Sequence, residues 1–145
     1  MRLLLFNLLT DADDPILGFT SSWIRELARQ VDAIDVLTMQ TGNVVVPGNV
    51  RVYSVGKEKN YSEPRRALEF YRRLWKLLCS HKYEACFAHM MPLFAAMGAP
   101  LLRIKRIPIV LWYAHKSVTP TLRLATFLVD RVVSASVESF RIDTP

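Results

Sequence analysis

A chain of 145 residues is long enough for one domain with a substantial hydrophobic core and too short for two ordinary domains. Its composition, 51% hydrophobic and 22% charged, excludes an intrinsically disordered protein. The formal net charge of +6 favours anionic partners such as nucleotides, phosphorylated substrates or acidic lipid surfaces.

Short apolar runs alternate with helical patterns along the whole chain. In order, we predict strand Arg2–Leu8, a helix from Gly18–Ser21 to Val31, strands Ile34–Met39 and Val50–Val55, a helix from Ser62 to Ser80, strand Ala85–His89, a helix that starts after Pro92 and runs from Leu93 to Ile104, strand Pro108–Trp112, helix Pro120–Leu128, strand Arg131–Ser134 and a helical turn at Ser136–Phe140. Such alternation is typical of βαβ units. We therefore predict an α/β fold, a Rossmann-like doubly wound parallel sheet of about six strands in the order three-two-one-four-five-six.

The most informative stretch is Ile107–Ser117, in which the apolar run Ile109–Trp112 gives way to polar residues. The run is too short for a helix and too continuous for a half-solvated strand, so a strand buried on both faces is predicted. In open α/β sheets, ligands bind at the carboxyl ends of the strands. His115 is therefore the first predicted functional residue, and Lys116 and Ser117 are predicted to contact the substrate beside it.

Two other loops are expected to reach the same edge of the sheet. His89 ends the fourth strand, where a histidine could bond a substrate hydroxyl or act as an acid or base near neutral pH. Gly18 precedes the first helix, where a glycine permits close backbone approach and free N–H groups can bind a phosphate. Structural alternatives stay open. His89 and His115 could each be a partly buried histidine with no ligand. The turn at Gly18 could be a plain strand-to-helix turn, because the three-glycine dinucleotide fingerprint is absent.

The helix from Ser62 to Ser80 has an apolar face, an opposite basic face and Trp75 at the border between them. The basic face carries Arg65, Arg66, Arg72, Arg73 and Lys76. Such a face is usually only solvated, and the functional alternative is contact with an anionic membrane surface or an acidic acceptor. Nucleic acid is not expected as a partner, because no recognition motif or aromatic-basic interleaving is present.

Cys79 and Cys86 are predicted to be core thiols rather than a disulfide or a metal site, and this usage fits the reducing cytoplasm. His89 and His115 have no metal-ligand spacing with acidic residues, so no metal is predicted. No apolar run approaches the roughly 20 residues needed to cross a bilayer, which leaves at most a peripheral position at the inner membrane face.

The order of these motifs resembles a known family. An acidic, glycine-containing loop follows the first strand, Ala88–Met90 ends the fourth, Tyr113–Ser117 follows the fifth, and Asp130–Ser136 leads into a short helix. Together they resemble the N-terminal domain of family-four glycosyltransferases, the glycogen-synthase-like retaining enzymes that have two Rossmann-like domains (the GT-B fold). The resemblance covers nearly the whole chain. One departure is Leu17-Gly18, which stands where the family usually has a paired glycine.

The resemblance implies that residues 1–145 form a single acceptor-side domain, the N-terminal half of a GT-B fold, and that the C-terminal nucleotide-sugar domain is absent from this chain. It implies transfer of a sugar from a nucleotide-sugar donor to a hydroxyl of a glycan or lipid-linked acceptor, without a metal or other cofactor. His115 would be the catalytic residue near the transferred sugar, Gly18 would lie near the donor diphosphate, and His89 would line the acceptor side.

Catalysis by this chain alone is not expected, because the domain that would bind the nucleotide-sugar donor is absent from it. The chain would then be a fragment of a longer enzyme or a subunit completed by another polypeptide. The alternative is a non-enzymatic Rossmann-like module that binds a partner or an anionic membrane surface through the basic helix 62–80. A small phosphate-binding enzyme complete in itself is disfavoured by the missing three-glycine loop.

Overall fold

The structure, a computed structural model, describes residues 1–142. Its elements in chain order are β1 (Arg2–Thr10), α1 (Phe19–Ala28), β2 (Ala33–Thr41), β3 (Val50–Ser54), a 3-10 turn (Lys57–Lys59), α2 (Glu63–Ser80), β4 (Ala85–His89), α3 (Pro92–Ile104), β5 (Ile109–Trp112), α4 (Pro120–Leu128), β6 (Arg131–Val133) and a second 3-10 turn (Val137–Ser139). The sheet has six strands, all parallel, in the order β3-β2-β1-β4-β5-β6. The predicted doubly wound, Rossmann-like sheet and its strand order are confirmed.

Element boundaries differ from the prediction mainly around β1, α1 and β2. Both strands run longer than predicted, because pairing continues as far as Thr10 opposite Thr41, beyond the point where the apolar pattern stops. Helix α1 is shorter, because the N–H groups of Arg29 and Gln30 donate to carbonyls three residues back and tighten its last turn. The predicted limits of β4 and α4 are confirmed, as is the end of α3, which begins at Pro92, one residue before its predicted start.

The sheet is covered unequally on its two faces. Helix α1 packs alone on one face, against a core that includes Leu5, Ile24 and Ile34. Helices α2, α3 and α4 share the other face. This division follows from right-handed crossovers, since the chain moves one way from β1 to β2 and the other way from β3 to β6. The sequence thus places one thin layer and one thick layer on the same sheet.

Three aromatic rings form the centre of the core on the three-helix face. Phe6 of β1 lies 5.6 Å from Phe70 of α2 and 5.9 Å from Phe94 of α3, measured between ring centroids. Phe70 and Phe94 are 4.5 Å apart. All three are fully or almost fully buried. Contacts of this kind contribute about 1 kcal/mol each beyond simple area burial, so the cluster ties both helices to β1.

A polar cluster holds the amino-terminal ends of the strands together. The carboxylate of Asp35 in β2 is fully buried, and its Oδ2 accepts hydrogen bonds from Arg2 Nε at 2.9 Å and from Tyr83 Oη at 2.7 Å. Burial, followed by the bond to Asp35, raises the pKa of Tyr83 well above its usual range. The N–H of Arg2 also donates to the carboxylate of Glu84 at 2.6 Å. The start of the chain is therefore fixed to β2 and to the segment before β4.

Two predictions about individual side chains are wrong. Cys79 is exposed rather than a core thiol, because it lies on the outer side of α2, whereas Cys86 in β4 is buried as predicted. Thr20 or Ser21 is the expected N-cap of the first helix, because hydroxyl side chains favour that position, but Gly18 occupies it. The buried hydroxyl of Thr20 lies 2.8 Å from the carbonyl oxygen of Leu17 and 3.1 Å from that of Leu9, so its single proton can bond either the turn before α1 or β1.

Candidate functional site

A cleft of about 280 Å³ opens at the carboxyl edge of the sheet, where β1, β4 and β5 end. Its walls are mostly apolar and aromatic. They consist of Asn7, Leu8, Leu17, Phe19, Thr20, His89, Met90, Trp112 and Ala114. This is the position at which open parallel sheets bind ligands. The cleft is therefore the candidate site that the fold itself supports.

His89 is a nearly buried side chain in the wall of this cleft, with 8% of its surface exposed. It pairs with Trp112 in the register between β4 and β5, and the two rings stack with centroids 4.9 Å apart and an interplanar angle of 9°. The ring of Trp23 lies 4.7 Å away and that of Phe19 lies 6.4 Å away. The imidazole is thus held in an aromatic box built by α1, β4 and β5.

The aromatic box sets the charge of His89. Burial lowers the pKa of His89 from 6.5 to about 4, because water is excluded from the charged form. The ring is therefore neutral at pH 7, with one nitrogen able to donate and the other able to accept a hydrogen bond. A neutral imidazole in such a place can orient a hydroxyl group without bringing a charge into the cleft.

His115 lies in the loop after β5 and, unlike His89, is exposed. Its Nδ1 accepts a hydrogen bond from the N–H of Ser117 at 3.0 Å, so the proton of the neutral ring is on Nε2. Tyr113 Oη donates to the carbonyl of Ser117 at 3.0 Å, which closes the loop further. The loop orients the ring so that Nε2–H is the group left for a ligand. Lys116 and Ser117 are exposed beside it.

Gly18 has an ordinary helical backbone, with φ of −56° and ψ of −26°. A glycine is needed there for space: a Cβ would lie 2.5 Å from the carbonyl oxygen of Asp14 and 2.9 Å from that of Ala12. The N–H of Gly18 donates to the Asp14 carbonyl at 2.9 Å. The Oδ1 atom of Asp14 accepts from the N–H groups of Ile16 and Leu17. Most of this turn is therefore satisfied internally, and contact of Gly18 with a phosphate stays a prediction.

The structure brings the three predicted loops to one edge of the sheet but gives them unequal places around the cleft. His89 is part of its wall. Gly18 and His115 are not among the lining residues, although their neighbours Leu17 and Ala114 are. The roles predicted for Gly18, His89, His115, Lys116 and Ser117 in substrate contact stay predictions.

The aromatic box is the part of the site that sequence reasoning missed. Trp23 shares the apolar face of α1, which indicated only a core position. Trp112 ends an apolar strand and gave no separate signal. One usable clue was that the two predicted strands Ala85–His89 and Pro108–Trp112 are equally long, which agrees with the observed pairing of their last residues, His89 and Trp112.

The cations of α2 do not form one free basic face. Arg66 Nη1 donates to the carbonyl of Tyr61 at 2.9 Å, and its side chain is only 21% exposed. Arg72 Nη2 lies 2.8 Å and Arg73 Nε 3.5 Å from the carboxylate of Glu69. The hydrogen bond from Arg72 lowers the pKa of Glu69. Three of the five predicted contact residues therefore have partners within or next to the helix.

Within residues 1–142, no helix is both long and apolar enough to span a membrane. Over the same residues, no three His, Cys, Asp or Glu side chains are grouped as ligands for a metal ion.

Comparison of the sequence with models of known protein families finds no match, and neither does comparison with curated protein sequences. Solved structures do match. MurG of Acinetobacter baumannii superposes with a TM-score of 0.63 at 12% sequence identity, over 98% of this chain and 44% of that chain. HepE (Alr3699) of Anabaena in complex with UDP gives a TM-score of 0.58 at 16% identity, over 96% and 39% of the two chains.

A third similar structure is the UDP-GlcNAc 2-epimerase of Methanocaldococcus jannaschii, with a TM-score of 0.61 at 9% identity, over 96% of this chain and 40% of that chain. Identities this low show the fold alone. The chain spans about two fifths of the length of these structures. Residues 1–142 have the Rossmann-like α/β fold of a GT-B half-domain.

Proposed function

We propose that this chain is the acceptor-side, N-terminal domain of a GT-B glycosyltransferase, which moves a sugar from a nucleotide-sugar donor to an acceptor hydroxyl. The observation that carries the proposal is the cleft at the carboxyl edge, with a neutral imidazole in its wall. Similar structures give further support: HepE has been solved with UDP and with UDP and glucose, and the epimerases act on UDP-N-acetylglucosamine by name.

A second domain that completes the site would account for the small size of the cleft. Its volume of about 280 Å³ lies just below the roughly 300–1,000 Å³ typical of small-molecule pockets. A nucleotide sugar fills more space than that, so most of the donor would contact another wall. That wall would be a further domain of the same polypeptide or a partner subunit. Closure of the two would exclude water during transfer.

Each loop at the edge then has a role. Nε2–H of His115 would donate to a hydroxyl of the transferred sugar, and Lys116 would add positive charge next to the donor. His89 would orient the acceptor. The start of α1 has no acidic residue in its first turn, which favours an anionic diphosphate near Gly18. Family-four membership, retention of stereochemistry and a metal-independent reaction belong to the same proposal.

The test is a transfer assay on the protein together with its second domain, using a panel of radiolabelled nucleotide sugars and a mixture of glycan and lipid-linked acceptors. His115→Ala and His89→Ala are each expected to lower kcat by about tenfold or more, because each removes a hydrogen bond made to a reacting sugar. His81→Ala is the matched control, since His81 follows α2 at the opposite edge of the sheet. Unchanged turnover in both His115→Ala and His89→Ala would refute the proposal.

A non-enzymatic module that binds an anionic surface through the cations of helix 62–80 alone has less support. Arg66, Arg72 and Arg73 are engaged with Tyr61 or Glu69. Exposed ion pairs of this kind are worth little for stability, but they reduce the free charge of the face.

A further inference from the structure

Helix α3 is apolar on its outer side as well as on the side that packs against the sheet. It has no charged residue before Arg103. Leu93 is 41% exposed and Ile104 is 78% exposed, and Met97 and Pro100 lie between them at helical spacing. A surface helix normally turns polar residues to water, and a helix that is apolar all round is normally covered. The outer side of α3 is therefore expected to have a partner.

The helices on either side extend this apolar surface. On α2, Leu68 is 66% and Trp75 is 57% exposed; on α4, Leu124 is 53% and Phe127 is 80% exposed. Together with Leu93 and Ile104 these side chains are called the outer apolar face. Single exposed apolar residues are common, but a group of large ones on three neighbouring helices indicates an interaction site.

Hydrogen bonds between the helices hold the outer apolar face in one arrangement. Tyr71 Oη of α2 donates to the carbonyl of Met97 in α3 at 3.1 Å. Arg103 Nη2 of α3 donates to the carbonyl of Leu128 at the end of α4 at 2.8 Å. Helix α3 thus lies between its two neighbours with fixed spacing, so the exposed side chains are presented as one surface.

The charges around the outer apolar face are mainly positive. On α2, Arg72 lies four residues after Leu68 and three before Trp75, so it is a direct neighbour of both. Lys76 is exposed on the same side, and the guanidinium of Arg65 lies over the Tyr61 ring, 3.6 Å from its centroid.

The end of α3 adds Arg103, Lys105 and Arg106, all exposed. Glu69 of α2 offsets part of the charge of Arg72, so the positive charge of this rim comes mainly from Lys76 and the cations at the end of α3. The carboxylate of Glu69 is only 16% exposed and is bound by Arg72, and Glu63 lies in the first turn of the helix.

We propose that the outer apolar face docks on an anionic lipid bilayer. Leu68, Trp75 and the exposed side chains of α3 and α4 would enter the boundary between headgroups and acyl chains, and Arg72 and Lys76 would contact lipid phosphates. An indole suits that boundary, because it has a large apolar surface and one N–H donor. A second copy of the chain is a poorer occupant, since pairing would bring two cationic rims together.

The test is flotation of the protein with vesicles of phosphatidylcholine alone and of phosphatidylcholine containing about a third phosphatidylglycerol. The wild type is expected to float with the anionic vesicles and to be released by salt. Leu68→Gln/Trp75→Gln is expected to weaken binding by about tenfold or more, because it removes the inserted side chains. Arg72→Gln/Lys76→Gln is expected to weaken binding about tenfold on anionic vesicles and to change nothing on neutral ones.

The matched control is Val44→Gln/Val45→Gln, which removes two apolar side chains, 40% and 43% exposed, from the loop after β2. It is expected to bind as the wild type does. Acrylamide quenching of tryptophan in the wild type should fall on addition of anionic vesicles, which tests insertion without any variant. Absence of flotation, equal binding by the two apolar double variants, or a dimer that Leu68→Gln/Trp75→Gln abolishes would overturn the proposal.

Discussion

The amino and carboxyl edges of the sheet are built in opposite ways. At the amino edge, polar groups from distant parts of the chain bind each other, as Arg2 and Tyr83 both donate to the buried Asp35. At the carboxyl edge, aromatic rings enclose His89, and the loops close on themselves through short-range bonds such as the one from Ser117 to His115. One end of the strands holds the fold together, and the other presents side chains to a ligand.

This contrast predicts two kinds of response to substitution. Changes at the amino edge should lower the free energy of unfolding and leave the cleft as it is. Changes at the carboxyl edge should alter the pH dependence of stability or the shape of the cleft.

The largest effect is expected for Arg2→Met at the amino edge. The substitution leaves the fully buried carboxylate of Asp35 with only the hydroxyl of Tyr83. Removing one partner of a buried ion pair typically lowers the free energy of unfolding by about 3–5 kcal/mol, and we expect a loss in that range at pH 7. Urea unfolding at pH 7 measures this loss.

The control for Arg2→Met is Arg29→Met, which breaks a pair with Glu26 in which both side chains are about two-thirds exposed. Its loss should stay below about 1 kcal/mol. Equal losses in the two variants would mean that the amino edge is not stabilised by its buried charges.

The next effect concerns the pH dependence set by His89. Its pKa is about 4 in the folded chain against 6.5 as the ordinary value, so between these values the unfolded chain binds a proton that the folded chain does not. The free energy of unfolding contributed by this group is therefore complete above pH 6.5 and falls as the pH drops towards 4, by up to about 3 kcal/mol. His89→Phe keeps a ring in the aromatic box and should remove this dependence of the free energy of unfolding on pH.

Urea unfolding from pH 4 to pH 8 gives the slope of the unfolding free energy against pH. The difference in that slope between the wild type and His89→Phe is the contribution of His89. His81→Phe serves as the control and should keep the wild-type slope. A slope that survives in His89→Phe would assign the pH dependence to other groups.

The smallest effect is expected for Gly18→Ala. The added methyl group would overlap two backbone carbonyl oxygens, at 2.5 and 2.9 Å, and backbone cannot move aside as a flexible side chain can. We expect a loss of about 2 kcal/mol, typical of overpacking, with a displaced start of α1. Gly48→Ala is the matched control, since nothing lies within 4 Å of its added Cβ. Equal midpoints of thermal unfolding would show that the turn before α1 has spare room.

The strand order was predictable because it follows from local information. Alternating apolar and helical patterns define the elements, and right-handed crossovers then leave few topologies. The last residues of β1 and β2 were not predictable from hydrophobicity, because Thr10 and Thr41 extend the strands through pairing with each other. Likewise α1 ends early through backbone bonds that its apolar periodicity does not reflect.

The candidate site was predictable only in part. The positions of His89 and His115 at strand ends follow from the strands themselves. The burial of His89 depends on Trp23 and Phe19, which lie more than sixty residues earlier and reach it only once α1 has packed on the sheet. The apolar residues of α3 were visible in the sequence, but periodicity alone does not separate a buried helix face from an exposed one.

The contrast between the two cysteines has a practical consequence. Burial raises the pKa of the Cys86 thiol and removes it from contact with reagents, whereas Cys79 is exposed four residues after Trp75. An alkylating fluorophore should therefore attach to the native protein at one natural position on α2. The emission colour of that dye would report directly, without an engineered thiol, when the helix leaves water for a less polar environment.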